Sequence, residues 1–120
     1  MKKPYVKKYK KVFEFSVMLV DGKYIRENID IEFTNCAQHY QFDFIPKNEF
    51  WIDKNRIPGE EDYYIKSMLI MNRLLAQSVK HRKAVKIADK AEKALRQQSD
   101  YTKQYEPLKK SKKKLIDFIH

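Results

Sequence analysis

The chain has 120 residues, 42% of them hydrophobic and 13% aromatic, with a net charge of +10 and a single cysteine. Its length suits one core with extensions, its composition excludes global disorder, and one cysteine excludes an internal disulfide and so a stapled secreted scaffold. The charge is unevenly placed: residues 1–12 carry six lysines and no acid, residues 13–62 five bases against eleven acids, and residues 63–120 fifteen bases against five acids.

Residues 1–11 have no periodicity and read as a flexible basic arm. A single α+β domain is expected over 12–98. Val12 to Val20 is a β-type run, followed by Asp21-Gly22, the commonest dipeptide of a tight hairpin. A return strand is predicted from Tyr24 to Thr34, where Ile29, Ile31 and Phe33 alternate with Asp30, Glu32 and Thr34. Tyr40, Phe42 and Phe44 alternate in the same way and predict a third strand, and Glu49 to Asp53 a short fourth. The reading over 12–53 is therefore an antiparallel sheet of three to four strands, followed by two to three helices packed on it.

Pro58-Gly59 and the acids Glu60, Glu61 and Asp62 announce a helix, because carboxylates favour the positive end of the helix dipole. Tyr64, Met68, Met71 and Leu75, widened by Ile65, Leu69 and Leu74, form an apolar stripe that should cover the sheet. A second helical pattern runs from about Arg82 to Gln98. Its narrow apolar face is Ala84, Ile87, Ala88, Ala91, Ala94 and Leu95. Gln77-Ser78 is a weak break, which leaves one long helix or two open. Residues 99–120 read as a basic C-terminal tail or short helix, with Pro107 opening a last helical turn toward Leu115, Ile116, Phe118 and Ile119.

No catalytic or metal-binding spacing is written locally. His39, His81 and His120 form no His-x-x-x-His, Cys36 has no second cysteine, and Gly22 and Gly59 cannot make a phosphate loop. Cys36 is expected to be a half-buried structural residue, and Asp43, Glu49 and Asp53 to be solvated strand faces or turn caps. No cofactor is implied.

A resemblance rests on Asp21-Gly22-Lys23-Tyr24-Ile25-Arg26, Ile31-Glu32-Phe33-Thr34-Asn35, His39-Tyr40 and, most strongly, Phe44-Ile45-Pro46-Lys47-Asn48-Glu49-Phe50-Trp51-Ile52-Asp53. Over roughly residues 17–96 the chain resembles a family of small phage and prokaryotic proteins. In them a strand ending Ile-Pro-x-x-Glu-x-Trp-Ile-Asp precedes a zinc-peptidase-like His-Glu-x-x-Glu helix, and a later helix supplies another His and Glu. Here Ser67, Met68 and Met71 stand on the first helix and Val85 at the later histidine. Only Glu92 remains. With His39 it falls short of the three or so protein ligands of a catalytic zinc. The resemblance thus implies a phage-encoded chain whose ancestral site has become packing, rather than an enzyme.

The binding signal is stronger. Lys80 to Lys114 holds thirteen bases and four acids. Within it Lys83, Lys86, Lys90 and Lys93 step by three and four along one helical face, joined by Lys80 and Arg82. A cluster of Lys109, Lys110, Lys112, Lys113 and Lys114 follows. Lysine contacts phosphate as a point charge and carries little base information, so nonspecific binding of nucleic acid or a nucleoprotein is expected. Leu115, Ile116, Phe118 and Ile119 suggest a protein partner instead, as in an accessory subunit of a viral particle whose tails tether its neighbours. A residual zinc-dependent hydrolase is the third reading. With no apolar leader, and no apolar run longer than Met68-Leu69-Ile70-Met71, no membrane span is expected, and the location is the host cytoplasm or the virion.

Overall fold

A computed structural model describes residues 2–111, with side chains through residue 98. The order is β1 (Tyr5–Val12), β2 (Phe15–Val20), α1 (Gly22–Asn28), β3 (Cys36–Gln38), β4 (Glu49–Asp53), α2 (Glu61–Ala76) and α3 (His81–Ser111). The strands form one four-stranded sheet in the order β1-β2-β4-β3. The α+β expectation holds, but the sheet is mixed: β1 and β3 lie antiparallel to their neighbours, and the central β2 and β4 run parallel, Val17 opposite Phe50 and Leu19 opposite Ile52.

The central strands are buried on both faces, which is why Val17-Met18-Leu19-Val20 is continuously apolar. Phe15, Val17, Leu19, Phe50 and Ile52 point to one side and pack under Ile65 and Met68 of α2. Met18, Val20 and Trp51 point to the other, where Ile25 of α1 and Phe33, Ala37 and Ile45 close over them. The apolar stripe of α2 covers the sheet as expected.

Four expectations over residues 1–53 are corrected. The supposed basic arm is largely edge strand β1, whose register against β2 slips twice. Asp21-Gly22 does not turn a hairpin. The Asp21 carboxylate accepts the Tyr24 amide at 3.1 Å and so caps α1. Beside β2, the place a return strand would have taken belongs to β4. Ile29 and Ile31 are 45% and 78% exposed, so of that alternation only Phe33 joins the core. Tyr40, Phe42 and Phe44 lie in tight turns, with Gln41 and Phe42 amides donating to the Gln38 carbonyl. Their i, i+2 spacing stacks Phe42 on Phe44 at 5.2 Å and brings Phe44 to Trp51 at 5.8 Å, as a lid over the sheet rather than a ladder in it.

The helices are two, not one. Ser78 takes a left-handed φ of 64° and the Val79 amide returns to the Leu74 carbonyl at 3.0 Å, ending α2 without a glycine. Ala84 and Ala88, fully buried, let α3 approach α2 closely. At the far end Arg96 closes a bidentate pair on Glu60, 2.8 and 2.9 Å, with its guanidinium over the Tyr63 ring at 4.3 Å. The antiparallel pair thus matches α2 with the first half of α3. The backbone of α3 continues through Pro107 to Ser111, so Pro107 does not open a separate helix. Residues 112–120, including the expected apolar end, lie outside the described residues.

Candidate nucleic-acid interface

At 100° per residue, Lys83, Lys86, Lys90 and Lys93 fall within roughly 80° of the α3 circumference. The buried Ala84 and Ala88 lie on the opposite side, so the packing that anchors α3 also turns the lysines outward. All four are exposed, as are Lys80 just before the helix and Arg82 in its first turn. Among the described residues none of these six makes an ion pair. Of the acids on α3 up to residue 98, Glu92 contacts Arg96 at 3.5 Å, and Asp89, three residues after Lys86 and four before Lys93, borders the stripe. Lys109 and Lys110 continue the α3 backbone, and Lys112, Lys113 and Lys114 lie outside the described residues.

A second basic element escaped the sequence reading as structure. Strand β1 exposes Lys7, Lys8, Lys10 and Lys11 along the open edge of the sheet. Lysines are usual on such an edge, where they discourage pairing with another strand. Lys10 reaches Asp62 at 3.2 Å, while Arg96 reaches Glu60. The first turn of α2 is therefore flanked by both lysine-bearing elements, β1 on one side and α3 on the other.

The positions highlighted by the zinc-peptidase-like resemblance have ordinary packing roles. Met68 is core, and its backbone carbonyl accepts from the buried Gln38 amide at 2.8 Å. The Asn72 amide then donates to Gln38 Oε1 at 3.1 Å. Ser67, Met71 and Val85 are half-buried. Cys36 is held protonated: burial, and secondarily the charge of Glu92, push its thiol up to about 12. Asp53, expected to be solvated, is buried instead. It accepts from the amides of Gly22 and Asn55 at 3.3 and 3.0 Å and from Arg26 Nη1 at 3.3 Å. Glu49 accepts from the Tyr5 hydroxyl at 2.7 Å and the Trp51 indole at 2.8 Å, tying β1 to β4. Among the described residues no three His, Cys, Asp or Glu side chains are grouped to hold a metal ion, and no helix is long and apolar enough to cross a membrane.

His39 and Asp43 line an open cavity of about 490 Å³ at the end of the sheet where β2 and β4 begin. The β1–β2 turn, the loop from His39 to Asn48 and Asn72 of α2 enclose it. Glu92 is not part of it. The sequence reading missed this cavity because its walls come from three separate segments, none carrying a motif.

Comparison with protein families, curated proteins and solved structures finds no match to this chain.

Proposed function

We propose that this is a non-enzymatic, phage-encoded protein that binds nucleic acid nonspecifically, or a nucleoprotein assembly, through the lysine face of α3 and its basic continuation. The observation that carries this is the stripe Lys83, Lys86, Lys90 and Lys93, exposed, in no ion pair among the described residues, and opposite the buried alanine seam. Ammonium groups about 5–6 Å apart along a helix can each neutralise a backbone phosphate and release its counterions. Lysines of β1 would add contacts around the first turn of α2. The phage origin comes from the resemblance.

Binding of short labelled single- and double-stranded DNA and RNA across roughly 50–300 mM salt tests the reading. Changing the four stripe lysines to Gln should lower the slope of log affinity against log salt by about 3–4, near 0.9 for each lysine on duplex DNA. No binding at the lowest salt, or an unchanged slope, would overturn it. A second reading, a subunit of a viral particle, is favoured by the open β1 edge, where Val6 and Tyr9 are also exposed. Salt-resistant assemblies in sedimentation would support that reading.

A further inference from the structure

We propose that the cavity at the head of β2 and β4 is a nucleobase pocket, and that guanine is the base it takes. The proposal deepens the nucleic-acid reading, on which it rests for the source of the base.

The polar groups of the cavity divide between acceptors and donors, the Asn48 amide and the Tyr40 hydroxyl being able to do both. Glu14 is already spent, its two oxygens holding Arg73 at 2.7 and 2.8 Å. Asp43 is exposed and makes no hydrogen bond or ion pair among the described residues, so it is the carboxylate of the lining open to a ligand. His39 Nδ1 lies 2.8 Å from the Ile45 carbonyl. A carbonyl only accepts, so Nδ1 donates here, and in the corresponding tautomer Nε2 is the acceptor. Asn72 gives one of its two amide hydrogens to Gln38, so it can still both donate and accept. Lys47 is the one charged donor.

Phe15 bounds the cavity without a free face, its ring stacked on Phe50 with 4.2 Å between centroids and the Arg73 guanidinium 5.6 Å from its own centroid. Tyr40, 49% exposed, offers a face on which a base can stack. A flat ligand presenting adjacent donors on one edge and acceptors on another would complement this set. Among the common bases guanine alone has N1–H beside the 2-amino group, a pair that a carboxylate can accept together, and its O6 and N7 accept from lysine. Adenine and cytosine would turn a ring acceptor toward Asp43, and uracil flanks its single N–H with two carbonyls. The cavity volume also falls within the range of small-molecule sites.

Calorimetric titration of the full chain with GMP, AMP, CMP and UMP tests the assignment. GMP should bind at least tenfold more tightly than the others. Asp43→Asn should erase that preference, and Tyr40→Ala should weaken every nucleotide. Both side chains are exposed, and Trp51 fluorescence verifies that each variant is folded. Equal binding of all four nucleotides, or of none at millimolar concentration, overturns the proposal. So does binding of spermidine, but not GMP, in an Asp43-dependent manner. An oligo-uridylate separates the two readings. If it binds with a steep salt slope while GMP does not bind, the pocket fails and the lysine face stands. If GMP binds and no oligonucleotide does, the lysine face fails and the pocket stands.

Discussion

Gly22→Ala sets two effects of opposite sign against each other. Alanine in the first turn of α1 should stabilise by about 0.5–1 kcal/mol, since it restricts the unfolded chain and favours helix. But a Cβ on residue 22 would fall inside contact distance of Cγ, Oδ1 and Oδ2 of Asp53. That carboxylate is 4% exposed and accepts from two backbone amides and Arg26, so it has no free rotamer to yield into. Displacing it loses one or two hydrogen bonds to a charged group, each worth about 1.5–3 kcal/mol. The clash should win, with a net loss of about 2 kcal/mol and, for a domain of this size, a Tm lower by roughly 8–16 °C. Urea unfolding followed by the buried Trp51 measures it. The decisive control is the same substitution in an Asp53→Ala background. There the obstruction is gone, and Gly22→Ala should become neutral or stabilising. A harmless Gly22→Ala in the native background, or an equal loss in both, would refute the reasoning.

Cys36 should react with a thiol reagent at pH 8 at least tenfold more slowly in the native protein than in urea. Its raised thiol also gives stability that is complete below the ordinary thiol range and is lost as pH rises toward about 12. The Tyr5 hydroxyl, also raised to about 12 by burial and the Glu49 carboxylate, adds to this loss above about 10, so the urea midpoint should fall between pH 9 and 12 and fall less in Cys36→Ala. Phe13 is 72% exposed with a left-handed φ of 53° in the two-residue β1–β2 turn. Phe13→Gly should therefore raise stability by about 0.5–1 kcal/mol, even after losing its contact with Arg73, as read by urea unfolding. Arg73 holds the Glu14 carboxyl down to about 2, so that pair contributes above the ordinary carboxylate value and is lost as pH falls through about 2. Because the pair is exposed, Glu14→Gln should change stability little at pH 7 and flatten its decline between about 4.5 and 2.

The α+β class, the helix beginning after Gly59 and the β character of residues 12–20 were legible because each rests on local chemistry: an apolar stripe at helical spacing, acids at a dipole, a run rich in branched and aromatic residues, although the structure splits that run at the Phe13-Glu14 turn. The strand partners were not. Asp21-Gly22 suits a hairpin and a helix cap equally, and the choice between them is made by Asp53, thirty residues on, which holds the Gly22 amide. The alternation at Ile29, Ile31 and Phe33 and at Tyr40, Phe42 and Phe44 is not that of strands: only Phe33, Phe42 and Phe44 turn onto the sheet face, while Ile29, Ile31 and Tyr40 stay exposed. The lysine stripe could be drawn from spacing alone, and the fold adds that its opposite side is the packing seam. The cavity lay beyond sequence reading, since Glu14, His39 and Asn72 meet only through tertiary structure.

The parallel pairing of β2 with β4 also has a consequence during synthesis. As the chain leaves the ribosome, β1 and β2 can meet at once, but the inner side of β2 must wait for residues 49–53. Through that interval Val17 to Val20 offer an uncovered apolar strand with open backbone groups, the condition in which chains associate wrongly. Non-local closure of this kind is slow compared with hairpin formation. The lysines beside it on β1 add local charge repulsion to the nascent segment, the role of gatekeepers.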